Sequence, residues 1–169
     1  MSYVFAVIVA VIIFAVDQLS KYLITQNFIL GESIPVINGV LNFTYINNMG
    51  AAFGIMKNQT WLLLAVTVVV TVICFCILIK KTYRSKIVFW GILLIISGGL
   101  GNIVDRVFRN GNVVDFLELD FIRFPVFNVA DCAIVVGAGL LILYFIVDFI
   151  GELRRENNIE QNSLNSEEK

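Results

Sequence analysis

The sequence predicts an all-α membrane protein: four transmembrane helices with a small extracytoplasmic β-sheet. Three observations carry this. The 169 residues are 59% hydrophobic and have a mean hydropathy of +0.88, well above an ordinary soluble domain. Four long apolar runs divide the chain. Charged residues are confined to the connecting segments and the tail. The length fits a single unit over residues 1–150 with a polar tail after it.

The first run, "YVFAVIVAVIIFAV" at 3–16, can continue as a helix to about Thr25. No basic region precedes it, and it ends in "DQLSK" rather than a small-residue cleavage site. It is therefore read as a retained span and not a signal peptide. The segment 26–59 follows, where Asn38-Gly39 between apolar and β-branched residues signals a hairpin. The second run, "WLLLAVTVVVTVICFCILI" at 61–79, has no charge and alone approaches the ~20 residues a bilayer crossing needs. The third, "IVFWGILLIISGGLGNIV" at 87–104, and the fourth, "CAIVVGAGLLILYFIV" at 132–147, entered near Phe127, reach that length with their flanks. No internal repeat is visible. The tail 151–169 is polar without a buried face and is expected to lack structure.

Orientation follows from lysine and arginine. "KKTYRSK" at 80–86 holds four of them and no acid, and the tail opens with "ELRR". The positive-inside rule puts both in the cytoplasm, and with four spans the N-terminus joins them. Segments 26–59 and 108–125 then face outward.

Composition excludes several function classes. A net charge of −1 offers nucleic acid no electrostatic footprint. The absence of histidine removes Ser-His-Asp and Cys-His catalysis and argues against zinc. Cys74, Cys76 and Cys132 form no disulfide framework and read as small buried hydrophobes. Cys132 lacks a histidine to activate it as a nucleophile.

Ionisable groups at membrane depth are expensive and need a reason. Here they gather at the outer ends of three spans: Asp17 and Lys21 four apart in the first, Asn102, Asp105 and Arg106 in the third, Asn128 and Asp131 three apart in the fourth. Asp17 has Lys21 one turn away, and Asp105 has Arg106 beside it, although neighbouring positions on a helix do not face each other directly. Glu118 and Asp120 lie in the polar middle of the outer loop and read as facing water. Asp115, in "VVDF", and Asp131, in "NVADCA", stand among apolar residues with little compensation. Desolvation and a neighbouring carboxylate both raise an acid's pKa, and two such acids sharing a proton can activate water and protonate a leaving amine. Sequence spacing alone does not bring these two together.

Five segments, "DQLSK" at 17–21, "NMGAAFG" at 48–54, "GGLGNIVDR" at 98–106, "VVDF" at 113–116 and "FPVFNVAD" at 124–131, give the chain a resemblance to bacterial lipoprotein signal peptidase (signal peptidase II) over roughly residues 3–150. The resemblance implies a four-helix intramembrane aspartic peptidase of the bacterial plasma membrane with an extracytoplasmic β-cradle and no cofactor or metal. It would cut prolipoproteins before a diacylglyceryl-modified cysteine and bind globomycin. By motif position it implies catalytic Asp115 and Asp131, and supporting Asp17, Lys21, Asn48, Asn102, Asp105, Arg106 and Asn128. Gly50 opens the small-residue run "GAAFG", which lets a backbone approach closely.

Two other readings compete. A small proton-coupled transporter would show acids near the middle of its spans and symmetry between its halves, whereas spans two and four are uncharged across their centres. A Ser/Lys peptidase using Ser20 and Lys21 requires two neighbouring positions, which diverge by about 100° on a helix, to pair.

Overall fold

In hydrocarbon the backbone must satisfy its own hydrogen bonds, so each apolar run becomes a helix. A computed structural model describes residues 3–50, 59–83 and 85–167. It contains α1 (Tyr3–Asn27), β1 (Ser33–Ile37), β2 (Leu41–Asn48), α2 (Thr60–Lys80), α3 (Lys86–Phe108), β3 (Val113–Leu119) and α4 (Val129–Glu167). All four helices are long and apolar enough to cross a membrane. Local chemistry sets their ends. Lys81 adopts a left-handed conformation and its amide closes α2 on the Ile77 and Leu78 carbonyls, while the Ser85 side chain accepts the Ile87 amide at the start of α3.

The helices are arranged around α3, which packs against the other three. Small residues permit this. A methyl added at Gly91 would lie 2.9 Å from the Gly137 carbonyl oxygen of α4, and one at Gly98 would run into the carbonyl oxygen of Ala130. Apolar side chains on α1, α2 and α4 face outward, as lipid-facing surfaces do.

The sheet joins the ends of α1 and α3 to the starts of α2 and α4. Its order is β1-β2-β3, antiparallel throughout. The hairpin forms at Asn38-Gly39 as the sequence signals: the Val40 amide donates to the Ile37 carbonyl at 2.9 Å, and Gly39 supplies a φ of +72°. The third strand is an addition. Residues 108–125 read as a loop, but Val113–Leu119 pairs along β2, with Ile46 opposite Asp115 and Asn48 opposite Val113. The β-branched and aromatic residues Val113, Val114 and Phe116 suit a strand. Val114 and Phe116 are buried with Ile24 of α1, against Phe28, Phe43 and Tyr45. Asn110 and Gly111, both at positive φ, make the reversal that feeds α3 into β3.

The tail also differs from expectation. Instead of losing structure at 151, α4 continues through the polar residues to Glu167. Straight-chain residues such as Glu152, Arg154 and Arg155 favour helix and need no buried face to extend one already nucleated. Of the cysteines, only Cys74 is buried; Cys76 and Cys132 are exposed, and all three are free thiols.

Candidate active site

The polar residues at the helix ends next to the sheet converge beneath it. Lys21 is fully buried, and its ammonium meets three acceptors: Asp17 Oδ2 at 2.9 Å, Asp105 Oδ2 at 3.0 Å and Asn102 Oδ1 at 3.2 Å. Each of its three N–H groups therefore has a partner. Asp17 also reaches α4, accepting the Ala130 amide at 2.8 Å. Asp105 accepts the Val114 amide at 3.2 Å and the Arg109 Nε at 3.2 Å. This buried cluster ties α1, α3, β3 and the first turn of α4 together, so the loss of any member leaves a partner uncompensated.

Above it sit the two acids. The Asn128 side chain accepts the Asp131 amide at 2.9 Å, and the Asp131 carboxylate accepts the Asn128 amide at 3.2 Å. This is a reciprocal capping box at the start of α4. The constraint orients the Asn128 amide group, whose Nδ2 donates to Asp115 Oδ1 at 2.6 Å. Asn48 is fixed similarly: its Oδ1 accepts the Gly50 amide at 2.9 Å, and its Nδ2 donates to Asp115 Oδ2 at 2.7 Å. Asn102 Oδ1 accepts from Lys21 and from Asn128, leaving its Nδ2 to donate to Asp131 Oδ1 at 2.7 Å. Three asparagines thus aim the two carboxylates. Asp115 is buried, and its carboxyl is pushed up to about 7, first by burial and then by the charge of Asp131, against the hydrogen bonds of Asn48 and Asn128.

Both acids open onto one cleft of about 610 Å³, which Asn48, Gly50, Asn102 and Arg106 also line. Two acids within electrostatic reach, each held by amide donors and facing a shared space, can hold one proton between them and polarise a water. Among the described residues, no group of three histidine, cysteine, aspartate or glutamate side chains gathers in a metal-holding arrangement.

The sequence matches the family described as Signal peptidase (SPase) II over residues 9–147. The chain belongs to the signal peptidase II family. With that membership it is a protease. Among its relatives, the lipoprotein signal peptidase of Brevibacillus brevis is 43% identical over 141 residues, which cover 83% of this chain and 94% of that protein. The lipoprotein signal peptidase of Halothermothrix orenii is 46% identical over 137 residues, 81% and 92% of the two chains. A bacterial membrane enzyme solved by the in meso method at 2.3 Å resolution superposes with a TM-score of 0.80 at 32% identity, over 85% of this chain and 88% of its own.

In this signal peptidase II chain, Asp17, Lys21, Asn48, Gly50, Asn102, Asp105, Arg106, Asp115, Asn128 and Asp131 all lie in the buried cluster or on the cleft. Several details differ from the sequence reading. Asp105 finds its partners in Lys21 and Arg109, neither of which the sequence reading named for it. Arg106 turns to the cleft, with Nη1 3.5 Å from the Asn102 carbonyl and Nε unpartnered among the described residues. Glu118 does not simply face water: half-buried on β3, it accepts from Ser33 and Thr44 across the sheet. Residues 51–54 of "GAAFG" lie outside the described residues. Sequence reasoning also missed Arg109, which its i,i+4 spacing from Asp105 could have revealed, and Gln18, which bonds Asp17 and the Gly101 carbonyl without any sequence signal.

Proposed function

We propose that the protein removes signal peptides from prolipoproteins carrying a diacylglyceryl-modified cysteine, using Asp115 and Asp131 as its catalytic pair. The observation that carries this reading is that one residue, Asn128, hydrogen-bonds both carboxylates above a shared cleft. Asp115, with its carboxyl pushed up to about 7, carries the shared proton in the active form. Asp131, in the first turn of α4, takes a proton from water as the water oxygen attacks the carbonyl carbon before the modified cysteine. Asp115 protonates the carbonyl oxygen. The tetrahedral intermediate then breaks its C–N bond, the amine of the cysteine leaves with the proton held by Asp131, and the gem-diol returns its proton to Asp115 as the new carboxyl forms.

Orientation supports the reading. With the basic α2–α3 connection in the cytoplasm, the acids lie near the outer face of the plasma membrane and both termini lie inside. The competing Ser/Lys arrangement finds no geometric support: Ser20 Oγ donates to the Asp17 carbonyl at 2.8 Å, and the Lys21 ammonium is held by Asp17, Asp105 and Asn102. Globomycin-type peptides are expected to compete for the cleft.

The test is cleavage by purified protein in detergent of a diacylglyceryl-modified precursor and its unmodified counterpart. Only the modified form should be cut. Asp115→Asn and Asp131→Asn should each lower the rate by at least about 10²–10⁴-fold while the fold is retained. Full activity in either variant would remove the pair. Loss in Ser20→Ala with both aspartates dispensable would favour the serine mechanism.

A further inference from the structure

One thiol stands where the acids open. Cys132 follows Asp131 in the first turn of α4, and its amide donates to the Asn128 carbonyl at 3.2 Å. The residue that orients both carboxylates therefore also fixes the backbone that carries the sulfur. Cys132 is exposed and lines the same cleft as Asp115 and Asp131. The other two thiols differ. Cys74 is buried in an apolar cluster with Ile92 and Ile96. Cys76 is exposed but does not line the cleft.

A second feature of the cleft points to a ligand. Arg106 lines it at 8% exposure, and its Nε is a buried donor left without a partner among the described residues. A buried N–H with no acceptor is costly, so the cleft suits a molecule that brings a carbonyl oxygen. No histidine activates Cys132, and peptide hydrolysis makes no use of it. An electrophile held beside it needs less help, because a cysteine sulfur is intrinsically very nucleophilic and confinement raises the effective concentration of the two reactants.

We propose that Cys132 is a covalent modification site for carbonyl-conjugated alkenes that enter the cleft, and that the thioether formed there stops the protease. The sulfur bonds to the alkene carbon as its proton passes to water. The π electrons move onto the carbonyl oxygen, and the Arg106 Nε donates to the enolate so formed. Water then protonates the α carbon. One C–S bond forms, one C=C π bond is lost and no group leaves. The adduct takes up space on the cleft next to Asp131, where a peptide bond must lie to be cut. The loss of activity rests on the reading of Asp115 and Asp131 as the catalytic pair, whereas the labelling does not.

N-ethylmaleimide on the purified protein in detergent tests this, with the adducts located by mass spectrometry. Cleavage of the diacylglyceryl-modified precursor should fall in step with the fraction labelled at Cys132. Cys132→Ser, measured against its own starting rate, should be inactivated at least about tenfold more slowly. The double variant Cys74→Ser, Cys76→Ser keeps only Cys132 and should be inactivated as fast as wild type; it covers poor folding of the first variant. Arg106→Met removes the oxyanion donor and should slow labelling of Cys132 at least about fivefold relative to Cys76 of the same molecule. Inactivation that persists in Cys132→Ser, full labelling of Cys132 with cleavage intact, or labelling confined to Cys76 would each overturn the proposal. So would an unchanged ratio of Cys132 to Cys76 labelling in Arg106→Met. If wild-type protein cuts no precursor, the functional reading falls, and the dependence of labelling on Arg106 still decides the site.

Discussion

Asn128 does three things with one side chain. It caps α4 by accepting the Asp131 amide, donates to Asp115 Oδ1 and donates to Asn102. The two acids, thirteen and three residues away from it, are thereby fixed relative to each other. The burial that serves this geometry has a cost at Asp115, whose carboxyl rises from 3.8 to about 7. Because the folded value lies above the unfolded one, stability is full at pH below about 4 and falls as pH climbs toward about 7, where the folded protein must finally release the proton. The full rise corresponds to at most ~4 kcal/mol. Asp115→Asn removes that dependence. Its melting temperature relative to wild type should improve by several degrees between pH 5 and pH 8; a gap that stays constant would mean the acid is not raised. Cleavage by the wild type should decline above about pH 7 as Asp115 ionises.

At the scale of elements, the site depends on how closely α3 and α4 approach. Gly98 touches the Ala130 carbonyl, so any side chain there pushes α4, and with it Asp131, away from Asn102. Gly139 lies on the same helix pair, but a methyl there would meet nothing within 4 Å. Gly98→Ala should therefore destabilise by about 1–3 kcal/mol through overpacking and lower activity with it. Gly139→Ala should be neutral or gain up to ~1 kcal/mol from helix propensity. Thermal melts of the two variants decide the matter, and equal melting temperatures would contradict the described packing. β3 matters equally: its register against β2 brings Asn48 diagonally across from Asp115, a pairing distance at which polar side chains meet.

Across the whole molecule, charge is distributed by side. The α2–α3 connection carries Lys80, Lys81 and Lys86, while the sheet and the acids occupy the opposite helix ends. That asymmetry fixes the expected orientation. In a cysteine-free background, Asn38→Cys at the hairpin tip should react with a membrane-impermeant maleimide on intact cells. Thr82→Cys should react only after permeabilisation. The reverse pattern would invert the topology and place the acids on the cytoplasmic side.

Four spans, their order and the hairpin at Asn38-Gly39 were legible in the sequence, because hydrocarbon length and turn chemistry are local requirements. The poorly compensated acids Asp115 and Asp131 were legible too, since a carboxylate flanked by apolar residues is conspicuous in a chain this hydrophobic. The third strand was hidden: "VVDFLEL" is short, and only the edge of β2 and the apolar cover of Ile24 and Phe43 make it a strand. The pairing of Lys21 with Asp105, the turn of Arg106 toward the cleft and the reach of Asp17 to the Ala130 amide were equally invisible. The first and the last join groups far apart in the chain, and no periodicity encodes any of them. The sequence by itself determined which polar groups sit at the ends of the apolar spans. Only the tertiary structure decided who pairs with whom, because a buried charge takes whichever partner the helix packing brings within reach.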